Sequence, residues 1–161
     1  MKKEKFTFFW AGPFSQWYSC NFTINNMKYN CAEQYMMLEK ANLFKDEKSY
    51  EKILKSPDPR LQKEIGRNIK NFNKDEWEKV AKEIVFKGNY AKFTQNMKLG
   101  MKLRETVGTT LVEASPYDKI WGIGLNSFDP LAQSRETWRG TNWLGETLTK
   151  LRETLITEGK I

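Results

Sequence analysis

Histidine is missing altogether from these 161 residues. That absence excludes imidazole general bases, Ser–His and Cys–His dyads, and the usual histidine-containing zinc sites. Acid and base chemistry therefore falls to Asp, Glu, Lys, Tyr or Cys. Cysteine is scarce, with Cys20 and Cys31 alone. Basic residues open the chain, but no apolar block or small-residue cleavage site follows them. The start therefore does not read as a secretory signal, and two free thiols in a reducing cytoplasm are expected. Apolar runs are too short for a transmembrane helix, so no membrane partner is expected. There is neither a glycine-rich P-loop nor a Gly-x-Gly-x-x-Gly stretch, so any phosphate must be held by side chains and helix ends.

What is present points to a folded, basic protein. Hydrophobic residues make up 39% and aromatics 14% of the chain, a composition that argues against disorder. The length fits one domain over residues 1–161 that buries about two thirds of its unfolded surface. A net charge of +7 favours a polyanionic partner: nucleic acid, a nucleotide or a phosphorylated metabolite. The same charge also serves solubility.

The stretch Cys31 to Ala41 is rich in strong helix formers and is uninterrupted by Gly or Pro. On a helix, Glu33, Met37, Lys40 and Phe44 share one face. Glu33 and Lys40 then sit about 10 Å apart along the axis, able to address two ends of a ligand. The same spacing also describes an amphipathic helix with both charges in solvent.

Before that helix, residues 5–10 read as a buried strand ended by Gly12-Pro13. The loop from Phe14 to Ser19 mixes aromatics with Ser15 and Gln16, a mixture suited to a flat heterocycle. Trp17 and Tyr18 serve equally well there as core caps. Phe22 to Tyr29 alternates as a hairpin turning at Asn25-Asn26. Asp46 to Lys55 reads as a charged helix, and a further one runs from an Asp58 cap through Ile69. Gly66 inside that helix implies a close approach to its backbone. Asn73 and Glu76 open a helix with a core-facing stripe of Trp77, Val80, Ala81, Ile84, Val85 and Gly88. Lys92 begins another helical segment through Leu103, with Phe93, Met97, Gly100 and Met101 on one side.

Thr109 to Ala114 is the strongest strand signal of the second half. It leads into a glycine-containing loop carrying Asp118 and Trp121, a usual position for chemistry and an equally usual one for a turn-forming Asp. Residues 125–140 read as a polar loop without periodicity, either a binding loop or disordered. Leu144, Leu148, Leu151 and Leu155 mark a closing helix with Asn142 as its cap. The expected class is α+β, a helix-dominated single domain with a small β-sheet.

Several of these segments, in order, resemble one family: Phe14 to Tyr18, Tyr29 to Met37 with Lys40-Ala41, Gly66-Arg67, Lys92-Phe93, Leu111 to Pro116, Asp118 to Leu125, and Trp138 to Gly145. Together they closely resemble the NADAR, or YbiA-like, family over nearly the whole chain. The resemblance implies N-glycoside hydrolysis of a ribose C1–N bond, with no metal or cofactor. It implies two substrate classes, ADP-ribosylated guanine in nucleic acid and phosphoribosylated intermediates of riboflavin biosynthesis. A silent module that binds ADP-ribose or NAD is the non-catalytic alternative.

The resemblance assigns catalysis to Glu33, Lys40 and Asp118 and favours Lys40 as a Schiff-base nucleophile; the alternative is Glu33 as the base that activates water, with Lys40 acting electrostatically. It assigns substrate binding to Ser15, Gln16, Trp17, Tyr35, Arg67, Trp121, Gly122 and Asn142. Gln34 stands where part of the family has His, which argues against an essential base there. Asn25-Asn26 replaces a common Asp-Gly turn, and Thr106-Val107-Gly108 spaces a usually adjacent Thr and Gly by one residue.

Overall fold

A computed structural model describes residues 2–161. Among the described residues, six α-helices and four short strands form a helix-dominated α+β fold. The chain divides into two compact units, one formed by residues 2–15 with Met97–Ile161 and the other by Gln16–Asn96.

The Gln16–Asn96 unit opens with a hairpin, β2 (Phe22–Ile24) and β3 (Met27–Tyr29). Its turn residues Asn25 and Asn26 lie at φ 52° and 67°, the left-handed region that Asn tolerates. The hairpin runs into α1 (Ala32–Leu43), which packs against α2 (Glu47–Lys55), α3 (Pro59–Arg67) and α4 (Lys74–Gln95). With neighbours on several sides, α1 is buried continuously from Ala32 to Leu38, so it is not an ordinary amphipathic helix. Both helical glycines make room for it. A β-carbon on Gly66 would meet the Met37 sulfur, and one on Gly88 would meet the Tyr35 ring.

Polar side chains finish the helix ends. The Cys31 thiol caps α1 by accepting from the Gln34 N–H, and it donates to Gln62 Oε1 at 3.2 Å. Gln34 in turn bonds the carbonyls of Ile53 and Leu54 and accepts from the Asn30 N–H. Asp46 caps α2 and also accepts from the Lys70 N–H. These bonds, the Ser49 hydroxyl foremost, hold its carboxyl down to about 2.

Two boundaries differ from the sequence expectation. Helix α3 ends at Arg67, with Asn68 as its C-cap, rather than at Ile69. Lys92 and Phe93 close α4 instead of opening the next helix. The break falls at Asn96 (φ −124°, ψ 94°), whose amide bonds the carbonyls of Lys92 and Asn21.

In the other unit, α5 (Met97–Arg104) buries Leu99, Gly100 and Leu103 while Met97 and Met101 are exposed. The expected face through Phe93, Met97 and Met101 is lost because the helical phase is interrupted at Asn96. Strand β1 (Phe6–Phe9) is mostly half-buried, and Trp10 beyond it is exposed. It pairs in parallel with β4 (Thr110–Glu113), from Phe6 opposite Thr110 to Phe9 opposite Glu113. Helix α6 (Trp143–Thr157) lies against β4, with the stripe Leu144, Leu148, Leu151 and Leu155 fully buried.

Residues 125–140 are ordered by local chemistry rather than by periodicity. Asn126 and Asp129 accept from nearby backbone N–H groups, and short 3-10 turns follow at Pro130–Gln133 and Arg135–Thr137. Leu125 and Ala132 are buried with Val112, Ala114 and Ile123. Arg135 pairs with Glu4 and Glu146 and covers the Trp138 ring.

Gly145 marks the tightest packing in this unit. A β-carbon there would meet the Leu111 carbonyl oxygen and the Asn142 amide, neither able to withdraw cheaply. Gly145→Ala is expected to destabilise the protein by about 3 kcal/mol. A lowered urea midpoint at unchanged slope is the signature, and a wild-type midpoint would refute the packing argument.

Candidate active site

Three residues of the expected α1 face, Met37, Lys40 and Phe44, meet the same neighbours. Met37 and Lys40 both reach Gly66, and Lys40 and Phe44 both reach Phe72. The Lys40 ammonium donates to the Gly66 carbonyl at 2.8 Å and lies 4.6 Å above the Phe72 ring and 5.6 Å from that of Trp77. Burial lowers its pKa, the Glu33 carboxylate pulls it back up, and the Arg67 guanidinium lowers it further. Glu33, Lys40 and Arg67 therefore share one electrostatic neighbourhood. Glu33 is buried, and its N–H donates to the Gln16 carbonyl at 2.9 Å, tying the loop before the hairpin to the start of α1.

Gln16 is buried, with its amide spent on protein groups. Its oxygen accepts from Asn89 at 2.8 Å and its nitrogen faces the Met36 sulfur. Trp17 is more open, with the Lys63 ammonium 5.8 Å from its ring. Arg67 is exposed at the end of α3. Tyr35 is a core ring, edge-on to Tyr29 at 5.1 Å and to Phe22 at 6.4 Å, and burial pushes its hydroxyl upward. Its place among the substrate-binding residues is thus better explained by packing.

Ser15, Asp118, Trp121, Gly122 and Asn142 belong to the other unit. The Ser15 N–H closes a turn on the Gly12 carbonyl. Asp118 forms a turn of its own, one carboxylate oxygen accepting from Ile120 and Trp121 N–H at 2.9 and 2.8 Å. Trp121 sits edge-on to Trp143, and Gly122 is buried where a β-carbon would strike the carbonyls of Asp118 and Glu113.

Asn142 precedes α6 at φ 53° but makes no side-chain cap. Its amide instead accepts from Glu113 N–H and donates to the Leu111 carbonyl, both at 3.0 Å. It is fully buried, so it serves β4 rather than a ligand.

Two buried polar residues lie outside the site set expected from the sequence, although Lys92 falls in one of the segments that carry the family resemblance. Asn89 supports Gln16, and Lys92 is the most deeply buried cation of this unit, 5.0 Å from the Phe93 ring and 5.7 Å from Tyr18. Burial brings the Lys92 amine down to about 8, against a smaller upward pull from Cys20 and Cys31.

This fold is that of an N-glycosidase, a hydrolase acting on N-glycosyl bonds. An N-glycosidase of Acanthamoeba polyphaga mimivirus is 41% identical over 95% of this chain and 98% of its own. The NMR structure of Escherichia coli YbiA matches with a TM-score of 0.80 at 27% identity, covering 99% of this chain and 89% of that one. A chloroplastic riboflavin biosynthesis protein of Arabidopsis thaliana is 31% identical over 83% of this chain, which spans 22% of that protein. The NADAR domain model matches residues 8–156, and the chain belongs to that family. No helix among the described residues is long and apolar enough to cross a membrane.

The buried Lys92 sets a pH dependence. Below pH of about 8 its amine is charged in both folded and unfolded chains, and the fold bears the full burial penalty. Between about 8 and the ordinary lysine value of about 10.4 the unfolded chain binds the extra proton. The Lys92 contribution to stability therefore rises with pH across that window, by about 3 kcal/mol in all. Denaturant titrations of wild type and Lys92→Met at both ends of the window should show the wild type gaining stability relative to the variant as pH rises. An equal difference between the two proteins at both pH values would refute it.

Proposed function

We propose that this N-glycosidase removes ADP-ribose from guanine in nucleic acid, using Lys40 as the nucleophile. The observation that carries the mechanism is the Lys40 amine itself, buried enough to lose its proton more readily than ordinary lysine, with Glu33 and Arg67 acting on it. A neutral amine forms a bond to ribose C1 as the C1–N bond to the base breaks. The base leaves with the bonding pair and takes up a proton, and Glu33 accepts the proton released by the amine. Ring opening yields the Schiff base, and water then adds to C1 to free both sugar and amine. As the C1–N bond stretches, and before it takes up the amine's proton, the Glu33 carboxylate stabilises the oxocarbenium-like centre.

Arg67, exposed at the same neighbourhood, is the phosphate clamp, and Trp17 is the stacking surface for the base. Asp118 and Trp121 carry the family's acidic-loop motif, and their part in the reaction rests on that motif. The net charge of +7 supports a nucleic-acid substrate. The plant relative named for riboflavin biosynthesis supports the second reading, the same bond cleaved in a phosphoribosylated intermediate.

Lys40→Ala is expected to cut release of sugar from an ADP-ribosylated guanine oligonucleotide on the order of 10³-fold. Borohydride should trap a sugar adduct on the wild-type protein and not on the variant. In the wild type, kcat/KM should rise with pH until the Lys40 amine is neutral. Wild-type turnover by Lys40→Ala would eliminate the Schiff base. Faster turnover of the riboflavin intermediate than of the oligonucleotide would select the second substrate.

A further inference from the structure

Strands β1 and β4 are parallel and in register, so both chains leave the sheet at the same edge. The residues that follow are exposed aromatics. Trp10, immediately after β1, is 51% exposed, and Tyr117, shortly after β4, is 85% exposed. Their rings lie 5.8 Å apart at 46°, close enough to act as one surface and too open to be a core. Burying neither ring completely leaves apolar area in water that a compact fold ordinarily covers.

Two cations accompany the rings. Lys119 follows Tyr117 by two residues, and the Arg139 N–H donates to the Ile123 carbonyl across the same loop. Both side chains converge on Gly124, where a β-carbon would lie 3.2 Å from the Lys119 chain and 3.2 Å from that of Arg139. Both residues are exposed, and among the described residues neither enters an ion pair. The acid next to Lys119 in sequence, Asp118, has one carboxylate oxygen turned to the Ile120 and Trp121 N–H groups, and the acid nearest Arg139 in sequence, Glu136, makes no ion pair with it. The loop cluster thus offers π-faces for stacking and positive charge without a partner. Flat bases joined by phosphates match both properties, whereas an aliphatic protein surface would leave the cations unmatched.

We propose that Trp10, Tyr117, Lys119 and Arg139 form a docking surface for single-stranded nucleic acid, on which bases stack and phosphates are neutralised. This rests on the reading that the substrate guanine is carried in a polynucleotide, and it names the surface that distinguishes such a substrate from a small phosphoribosyl compound. Stacking is sequence-tolerant, so the surface selects strand rather than sequence.

The test uses the full chain and a fluorescent, unmodified single strand of about twelve nucleotides, followed by anisotropy. Trp10→Ala and Tyr117→Ala are each expected to weaken binding about tenfold. Lys119→Ala with Arg139→Ala should flatten the log affinity against log salt slope by about 1.4. In turnover assays the three variants should raise KM for an ADP-ribosylated oligonucleotide and leave hydrolysis of ADP-ribosylated guanosine unchanged. Wild-type binding by the variants, or equal loss on both substrates, would overturn the proposal. So would failure of the wild type to bind the strand, with sedimentation then assigning the patch to a second copy if a dimer forms. Binding to the unmodified strand without release of sugar from the modified one rejects the proposed function and upholds the docking surface.

Discussion

Everything in the Gln16–Asn96 unit depends on α1 being buried on several sides while it carries charged groups. A helix in that position is normally apolar all round, because an unpaired buried charge costs several kcal/mol. Here the cost is met locally. Gly66 lets α3 approach until its carbonyl reaches the Lys40 ammonium, and Phe72 and Trp77 offer ring faces to the same group. Gly66, without a β-carbon, permits this close packing, while burial of Lys40 is what chiefly lowers its pKa.

The polar residues around α1 divide by what they touch. Gln34, Gln62 and the Cys31 thiol form a network that spends itself on backbone and on one another. Burial raises the Cys31 thiol to about 12, so it stays protonated and serves as a cap rather than a nucleophile. The Gln34 amide fills its bonding role on the same ground, without titrating. Glu33, Lys40 and Arg67 are the groups left with charge in a shared environment, and this separates them from the structural polar set.

Much of the fold was legible because its signals are local. The Asn25-Asn26 turn, the Asp58 cap with Pro59, the Asn73 cap and the leucine stripe of α6 each depend on residues within a few positions. Errors came where a local signal had two solutions. Asn96 ended α4 through side-chain bonds to Lys92 and Asn21 carbonyls, and no periodicity announces that. Asn142 had the right place and type for a cap, yet its amide went to β4, a partner about thirty residues away in the chain. Residues 125–140 lack a period because Asx turns, the Arg135 ion pairs and two buried apolar anchors order them instead.

The sequence by itself determined the inventory of chemistry: no imidazole, a carboxylate and an amine seven residues apart on one helix face, and motifs in an order that one family shares. Helical geometry makes that shared face unavoidable once the helix forms. Tertiary structure alone decided which of those groups are charged, buried or free to act. Tyr35, Gln16 and Asn142 became packing and clamping residues, and Lys92 became a buried amine titrating at about 8. The reason is physical: pKa and ligand access follow from desolvation and from charges brought close by chain segments far apart in sequence.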